Sequence, residues 1–358
     1  MPSVQDEKLF WKKKEFISFL LCVLVFFIHI SSIKQYAVTG GFITALNYRF
    51  AFFFKESITR FAVPAFFILS GISFFKSYDN TKYFSKIKSR VFTLVIPYLL
   101  WNTIWMLFNI FCTAFLSQYF TGRKPFVISF VNVLKGIFLY GCNGPFWFML
   151  HLIILSFAAP LIYLLIRNKY VGMLTATTLA VIRLFAIRIP DSIIFFLIGA
   201  IIGKHFFDYA TRKSPKIMQL LSIVFLVTYV ILKNLFRESA NRIVGLDTFV
   251  FVLAAFALWS FTDLFIDKIN PKAIYSRSFA IYALHVNVSA IITELICLAL
   301  PKNEWFAIPN FILTVILTLL SINLICTLLE RFFPKVSAVL FGNRIKPILK
   351  KSVIKITE

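Results

Sequence analysis

"LCVLVFFIHISS", residues 21–32, places one histidine, His29, in an almost unbroken run of Leu, Val, Phe and Ile. The run belongs to an apolar window at 15–34, whose roughly 20 residues at about 1.5 Å each match the roughly 30 Å of a bilayer's hydrocarbon. It predicts a helix surrounded by lipid. Similar windows follow at about 58–76, 91–118, 143–166, 171–187, 192–207, 217–235, 246–266, 276–300 and 305–329. The fifth and sixth are short and separated only by "RIPD", 188–191. The chain therefore reads as an all-α polytopic membrane protein of about ten transmembrane helices.

Composition agrees. Hydrophobic residues make up 59% of 358 and mean hydropathy is +0.84, far outside the range of soluble domains. The formal charge of +23 would suggest nucleic acid in a soluble protein. In a membrane protein, loops that stay in the cytoplasm collect Lys and Arg. Counted on alternate sides of the ten windows, these residues favour a cytoplasmic N-terminus and C-terminus by about two to one. The organisation that follows is a cytoplasmic segment, 1–14, a membrane domain, 15–334, and a basic cytoplasmic tail, 335–358. The N-terminus has positive charge before an apolar stretch but lacks a small-residue cleavage site, so the first window is expected to remain as a span. The five cysteines have no metal-ligand spacing, and no metal is predicted.

Ionisable residues inside spans are costly and therefore mark sites. On this topology His29 lies in the outer half of the first span, and Arg60 at the outer start of the second. His151 lies in the outer half of the fourth, with Trp147 one turn before it on the same face, and His285 lies near the middle of the ninth. Four spans thus bring His29, Arg60, His151 and His285 between the midplane and the outer side. Each histidine has a plainer alternative as interhelical hydrogen-bonding glue, and Arg60 as a snorkelling side chain. His205 reads as an interfacial residue, Glu294 as a partner for a cation or an outer-interface group, and Arg183 has no evident partner. The inner loop carries Lys76, Lys82, Lys86, Lys88 and Arg90, enough charge to hold an anionic cofactor or to anchor on acidic lipid. No Gly-rich phosphate loop or Gly-x-Ser-x-Gly elbow is present, which argues against common hydrolases and nucleotide-driven pumps.

In chain order, "EFISFLLCVLVFFIHISS" (15–32), "RFAVPAFFILSGISFF" (60–75), "KIKSRVFTLVIPYLLWN" (86–102), "GPFWFMLHLIIL" (144–155), "FFLIGAIIGK" (195–204), "SFAIYALHVNV" (278–288) and "LLERFFP" (328–334) resemble the membrane domain of acyltransferase family 3. The resemblance runs from about residue 14 to 334. It implies transfer of an acyl group, usually acetyl from acetyl-coenzyme A, to a hydroxyl of a sugar, glycan or other surface molecule, in the bacterial plasma membrane. The family's central histidine falls on His29, its arginine on Arg60, its Ser-Gly on Ser70 and Gly71, its Trp-Phe on Trp147 and Phe148, and a later histidine on His285. Two places depart from the pattern. An arginine eleven positions before the first histidine is here Ser18, with Lys14 one turn earlier, and an Arg-x-x-Arg pair before Pro97 is here Val91 and Leu94.

Acyl transfer needs a base, donors for the oxyanion and exclusion of water. His29 is expected as base or transient acyl carrier, Arg60 as the group that stabilises negative charge, His285 and His151 as assistants, and Trp147 and Ser70 as substrate contacts. Lys82, Lys86, Lys88 and Arg90 are the expected contacts of the coenzyme A nucleotide. Two readings from other classes remain beside this one: a transporter or flippase of an amphiphilic glycan precursor, and a membrane protein of polysaccharide assembly.

Overall fold

A computed structural model describes residues 3–30, 41–115, 126–185, 189–236, 246–270, 273–301 and 303–343, and these are helical with no strand. Each of the ten apolar windows holds a helix, but among the described residues only five helical stretches are long and apolar enough to cross a membrane: Phe42–Phe75, Asn80–Phe115, Lys216–Leu235, Ser278–Ala299 and Glu304–Phe332. A sixth, Gly144–Ile166, qualifies if its two parts, bent by 66°, count as one span. Pro160 sits at the start of the second part, where a residue without an N–H ends one helix and begins another.

The first helix, α1 (Val4–His29), starts with a reciprocal cap. Ser3 Oγ accepts from the Asp6 N–H at 3.1 Å, and the Asp6 carboxylate accepts from the Ser3 N–H at 3.0 Å. The helix runs without a break through residue 14, so the expected cytoplasmic segment and the first span are one rod. Its charged first half is why it falls outside the five long apolar stretches, although its second half is as apolar as theirs.

Next come α2 (Phe42–Phe52), a π-helical turn (Phe53–Ser57) and α3 (Ala62–Phe75), then α4 (Tyr83–Arg90), a second π turn (Val91–Val95) and α5 (Ile96–Phe115). The second π turn ends just before Pro97. A proline there cannot donate to the carbonyl four residues back, and the wider turn relieves the clash. The chain continues through α6 (Phe130–Phe138), α7 (Trp147–Phe157), α8 (Ala159–Ile166), α9 (Lys169–Leu184) and α10 (Asp191–His205). At 15 and 16 residues, α10 and α9 reach only about 23 Å, short of a bilayer.

The closest helix pair is α3 with α10. A Cβ at Gly199 would overlap the Ile68 carbonyl, one at Gly71 the Phe196 carbonyl, and one at Gly203 would stand 2.6 Å from the Ile72 oxygen. Backbones meet because no side chain separates them, and the Gly199–Gly203 spacing is the small-x-x-x-small pattern of membrane helix contacts. The remaining elements are α11 (Phe207–Thr211), α12 (Lys216–Leu235), α13 (Leu246–Thr262), α14 (Ala273–Ser276), α15 (Ser278–Ala299), α16 (Ala307–Phe332) and α17 (Pro334–Leu340). The helix α17 starts the expected tail yet packs on α5: the Trp101 indole donates to the Leu340 carbonyl at 3.0 Å, and Phe341 is buried against Trp101.

Among the described residues, two ion pairs are sealed inside the helix packing. Lys13 meets Asp263 at 2.7 Å with both side chains out of solvent. Arg277 meets Glu330 at 2.9 Å and also donates to Thr327 and the Asn323 carbonyl, tying the start of α15 to the end of α16.

Candidate functional site

The helix α1 ends at His29, and Ile30 is already extended, so the imidazole stands at a helix terminus rather than within a lipid-facing turn. There it borders two cavities. One, of about 670 Å³, is lined by His29, Arg60, Trp147, His151, Ser192 and Tyr282 among others. The second, of about 620 Å³, is lined by His29, Asn132, Lys135, Cys142, Asn287 and Ser289 among others. A group in either cavity therefore has access to the same ring.

His285 backs that ring, with centroids 5.3 Å apart. It is 1% exposed, and its Nδ1 faces two carbonyl oxygens, Tyr282 at 2.8 Å and Ile281 at 3.1 Å. Carbonyls only accept, so Nδ1 carries the proton and Nε2 keeps its lone pair. That Nε2 is buried and has no hydrogen-bond partner among the described residues. A buried acceptor without a donor is costly unless it is used.

The other residues arrive from separate elements. The π turn before Arg60 brings the Glu56 carboxylate to its guanidinium, which donates from Nε. The Tyr282 hydroxyl donates to the Pro145 carbonyl, and its ring lies parallel to Phe146 at 5.5 Å. These contacts hold the turn from which α7 begins with Trp147. The Trp147 ring meets His151 edge-on at 5.2 Å, as their four-residue spacing predicts. His151 Nδ1 lies 2.8 Å from the Ser192 hydroxyl on α10.

The structure thus brings His29, Arg60, Trp147 and His151 to one cavity, with His285 immediately behind His29. Ser70 lines neither cavity; it adjoins Gly71 in the tight α3–α10 contact, where the helix faces protein. Lys82, Lys86, Lys88 and Arg90 also lie apart from both. Lys82 pairs with Asp79 at 3.1 Å, Lys86 donates to the Phe74 carbonyl at 2.6 Å, Arg90 lies over the Phe74 ring, and Lys88 is exposed. Hydrogen bonds from Thr81 and Lys82 hold the Asp79 carboxyl down at about 2.

The two departures from the family pattern also have places. Leu94 is 3% exposed in the main core, so that position packs instead of reaching a ligand. Beside Ser18, the lysine that enters the protein is Lys13, on Asp263; Lys14 lies over the Trp11 ring.

Several cavity residues were not anticipated from sequence. Arg183 has a partner after all, Asp191, at 2.6 Å across the α9–α10 hairpin. Lys233 meets Asp247 at 2.9 Å across the α12–α13 hairpin, and Glu56 accompanies Arg60. Glu56 and Arg60 carried a signal, opposite charges four residues apart. His205 Nε2 lies 2.6 Å from the Ile166 carbonyl, an interhelical contact away from the cavities.

A sequence model of the acyltransferase domain, family 3, matches residues 16–330. The chain belongs to acyltransferase family 3. No curated protein and no solved structure matches it. Membership makes this family 3 chain a membrane acyltransferase, and its five long apolar helices accord with that setting.

Proposed function

We propose that this acyltransferase moves an acyl group, acetyl in the first instance, from a coenzyme A thioester to a hydroxyl of a sugar or glycan at the outer side of a bacterial plasma membrane. The observation that carries the reading is His29, paired with His285, at the junction of two cavities. In this scheme the bare His285 Nε2 lone pair is available to the His29 N–H, and the other His29 nitrogen is then the base. It takes the acceptor hydroxyl proton as that oxygen bonds to the acyl carbon, and returns that proton to the sulfur as the acyl C–S bond breaks and the thiol leaves. Arg60, anchored by Glu56, offers positive charge to the oxyanion formed on the way. His151, held by Ser192, and Trp147 position the acceptor.

The coenzyme A nucleotide is anionic, and Lys82, Lys86, Lys88 and Arg90 suit it in charge, with no carboxylate between residues 82 and 90. Lys82 and Lys88 are the exposed members and the first to meet a phosphate. His29→Ala should abolish transfer of labelled acetyl groups in membranes at unchanged protein abundance. Undiminished transfer would sink the assignment. Mass spectrometry of surface glycans with and without the protein names the acyl group and the acceptor by the mass that is lost.

A further inference from the structure

We propose that the larger cavity is the acceptor site and that it selects an uncharged, hydroxyl-rich ligand, a neutral glycosyl unit; this rests on the transferase reading above. Among the described residues lining it, six carry full charges, and they form three ion pairs: Glu56 with Arg60, Asp191 with Arg183 and Asp247 with Lys233. The pairs come from three separate places in the chain, so one local turn does not account for them. Their charges cancel within the wall.

None of the three is sealed. The carboxylate side chains of Glu56, Asp191 and Asp247 keep 37%, 39% and 43% of their exposure. The contacts use Glu56 Oε2 and Asp247 Oδ1, so the second oxygen of each is not taken up by its ion pair. A sugar hydroxyl both donates and accepts, and can bridge such a carboxylate and its neighbouring cation without breaking the pair. Trp147, which is 37% exposed, supplies a flat apolar surface of the kind that the C–H face of a sugar ring covers. His29 lies in the same wall, so a hydroxyl held here is beside the base.

A uronate or an amino sugar brings a charge that this balanced wall cannot match without breaking one of its own pairs, and the like charge already present repels it. Selection by charge therefore follows from the balance itself.

The test uses the full-length protein in detergent, with methyl glucoside, methyl glucosiduronate and methyl glucosaminide as probes. Equilibrium binding is read by saturation-transfer NMR without donor, and thioester consumption is measured separately. Wild type should favour the glucoside over both charged probes by roughly tenfold. Lys233→Met leaves one negative charge in excess and should move the preference roughly tenfold towards the glucosaminide; Asp247→Asn should move it as far towards the glucosiduronate. Misfolding cannot produce opposite selectivities from neighbouring residues. Unchanged ranking in both variants, a shift in the same direction, or no detectable binding of any probe overturns the proposal. Charge selection without thioester turnover upholds the site and counts against the transferase reading; turnover without charge selection overturns the site alone.

Discussion

Ion pairs of the same chemistry occur in two settings in this molecule. Lys13–Asp263 and Arg277–Glu330 are closed off, with side-chain exposures of 1%/0% and 3%/9%. Glu56–Arg60, Arg183–Asp191 and Lys233–Asp247 open on the large cavity. The sealed pairs meet out of solvent and act as fasteners between helices. The open pairs hold each other in place and keep capacity for a ligand. Burial, more than residue type, separates the two settings, because a charge loses its access to ligands as it loses its access to water.

That contrast can be broken by substitution, and the largest effect lies at the cavities. His29→Ala should lower acyl transfer by about 10² to 10⁴, the usual worth of a positioned base, with thermal stability in detergent close to wild type. A variant that instead melts early would make His29 a structural residue. Arg277→Met should do the reverse: it strands Glu330 in the interior, costing about 3 to 5 kcal/mol of stability. A melting curve within error of wild type would place Arg277 with the open pairs.

Smaller consequences follow elsewhere. Gly199→Ile pushes a branched side chain into the Ile68 backbone and should cost at least about 1 to 3 kcal/mol, visible as lowered yield and melting temperature. Glu56→Gln, at an open pair, should change stability by less than about 1 kcal/mol while lowering the rate of transfer. Equal losses of stability from Glu56→Gln and Arg277→Met would erase the contrast. The faintest signal is at the half-buried Asp79. Its carboxyl is held at about 2 against an ordinary 3.8, so any stabilisation it gives is present above pH 3.8 and lost as the pH falls towards 2. A wild-type minus Asp79→Asn difference that changes between pH 5 and 7 would refute that assignment.

Legibility was uneven for physical reasons. Apolar windows are visible because lipid demands runs of hydrophobic side chains, and each window does hold a helix. How many cross is less visible, since α9 and α10 are apolar but short, and α1 carries its charge on the same rod as its span. The convergence of His29, Arg60 and His151 was legible from depth, because every span is measured against the same slab. The partners of Arg183 and Lys233 were not legible. They join across hairpins whose geometry no local pattern specifies. The tight contact of α3 with α10 had a signal in "GAIIG", 199–203, whose glycines are spaced for close helix approach.

By itself, the sequence determined a helical membrane chain of acyltransferase family 3 and singled out His29, because solvation physics and motif order both act along the chain. Only the tertiary structure decided that His29 faces two cavities, that the His285 ring with its bare Nε2 lies behind it, and that three ion pairs wall the larger chamber among the described residues. Those features depend on which side chains are shielded from water and which are left open, and that is settled only when distant helices pack.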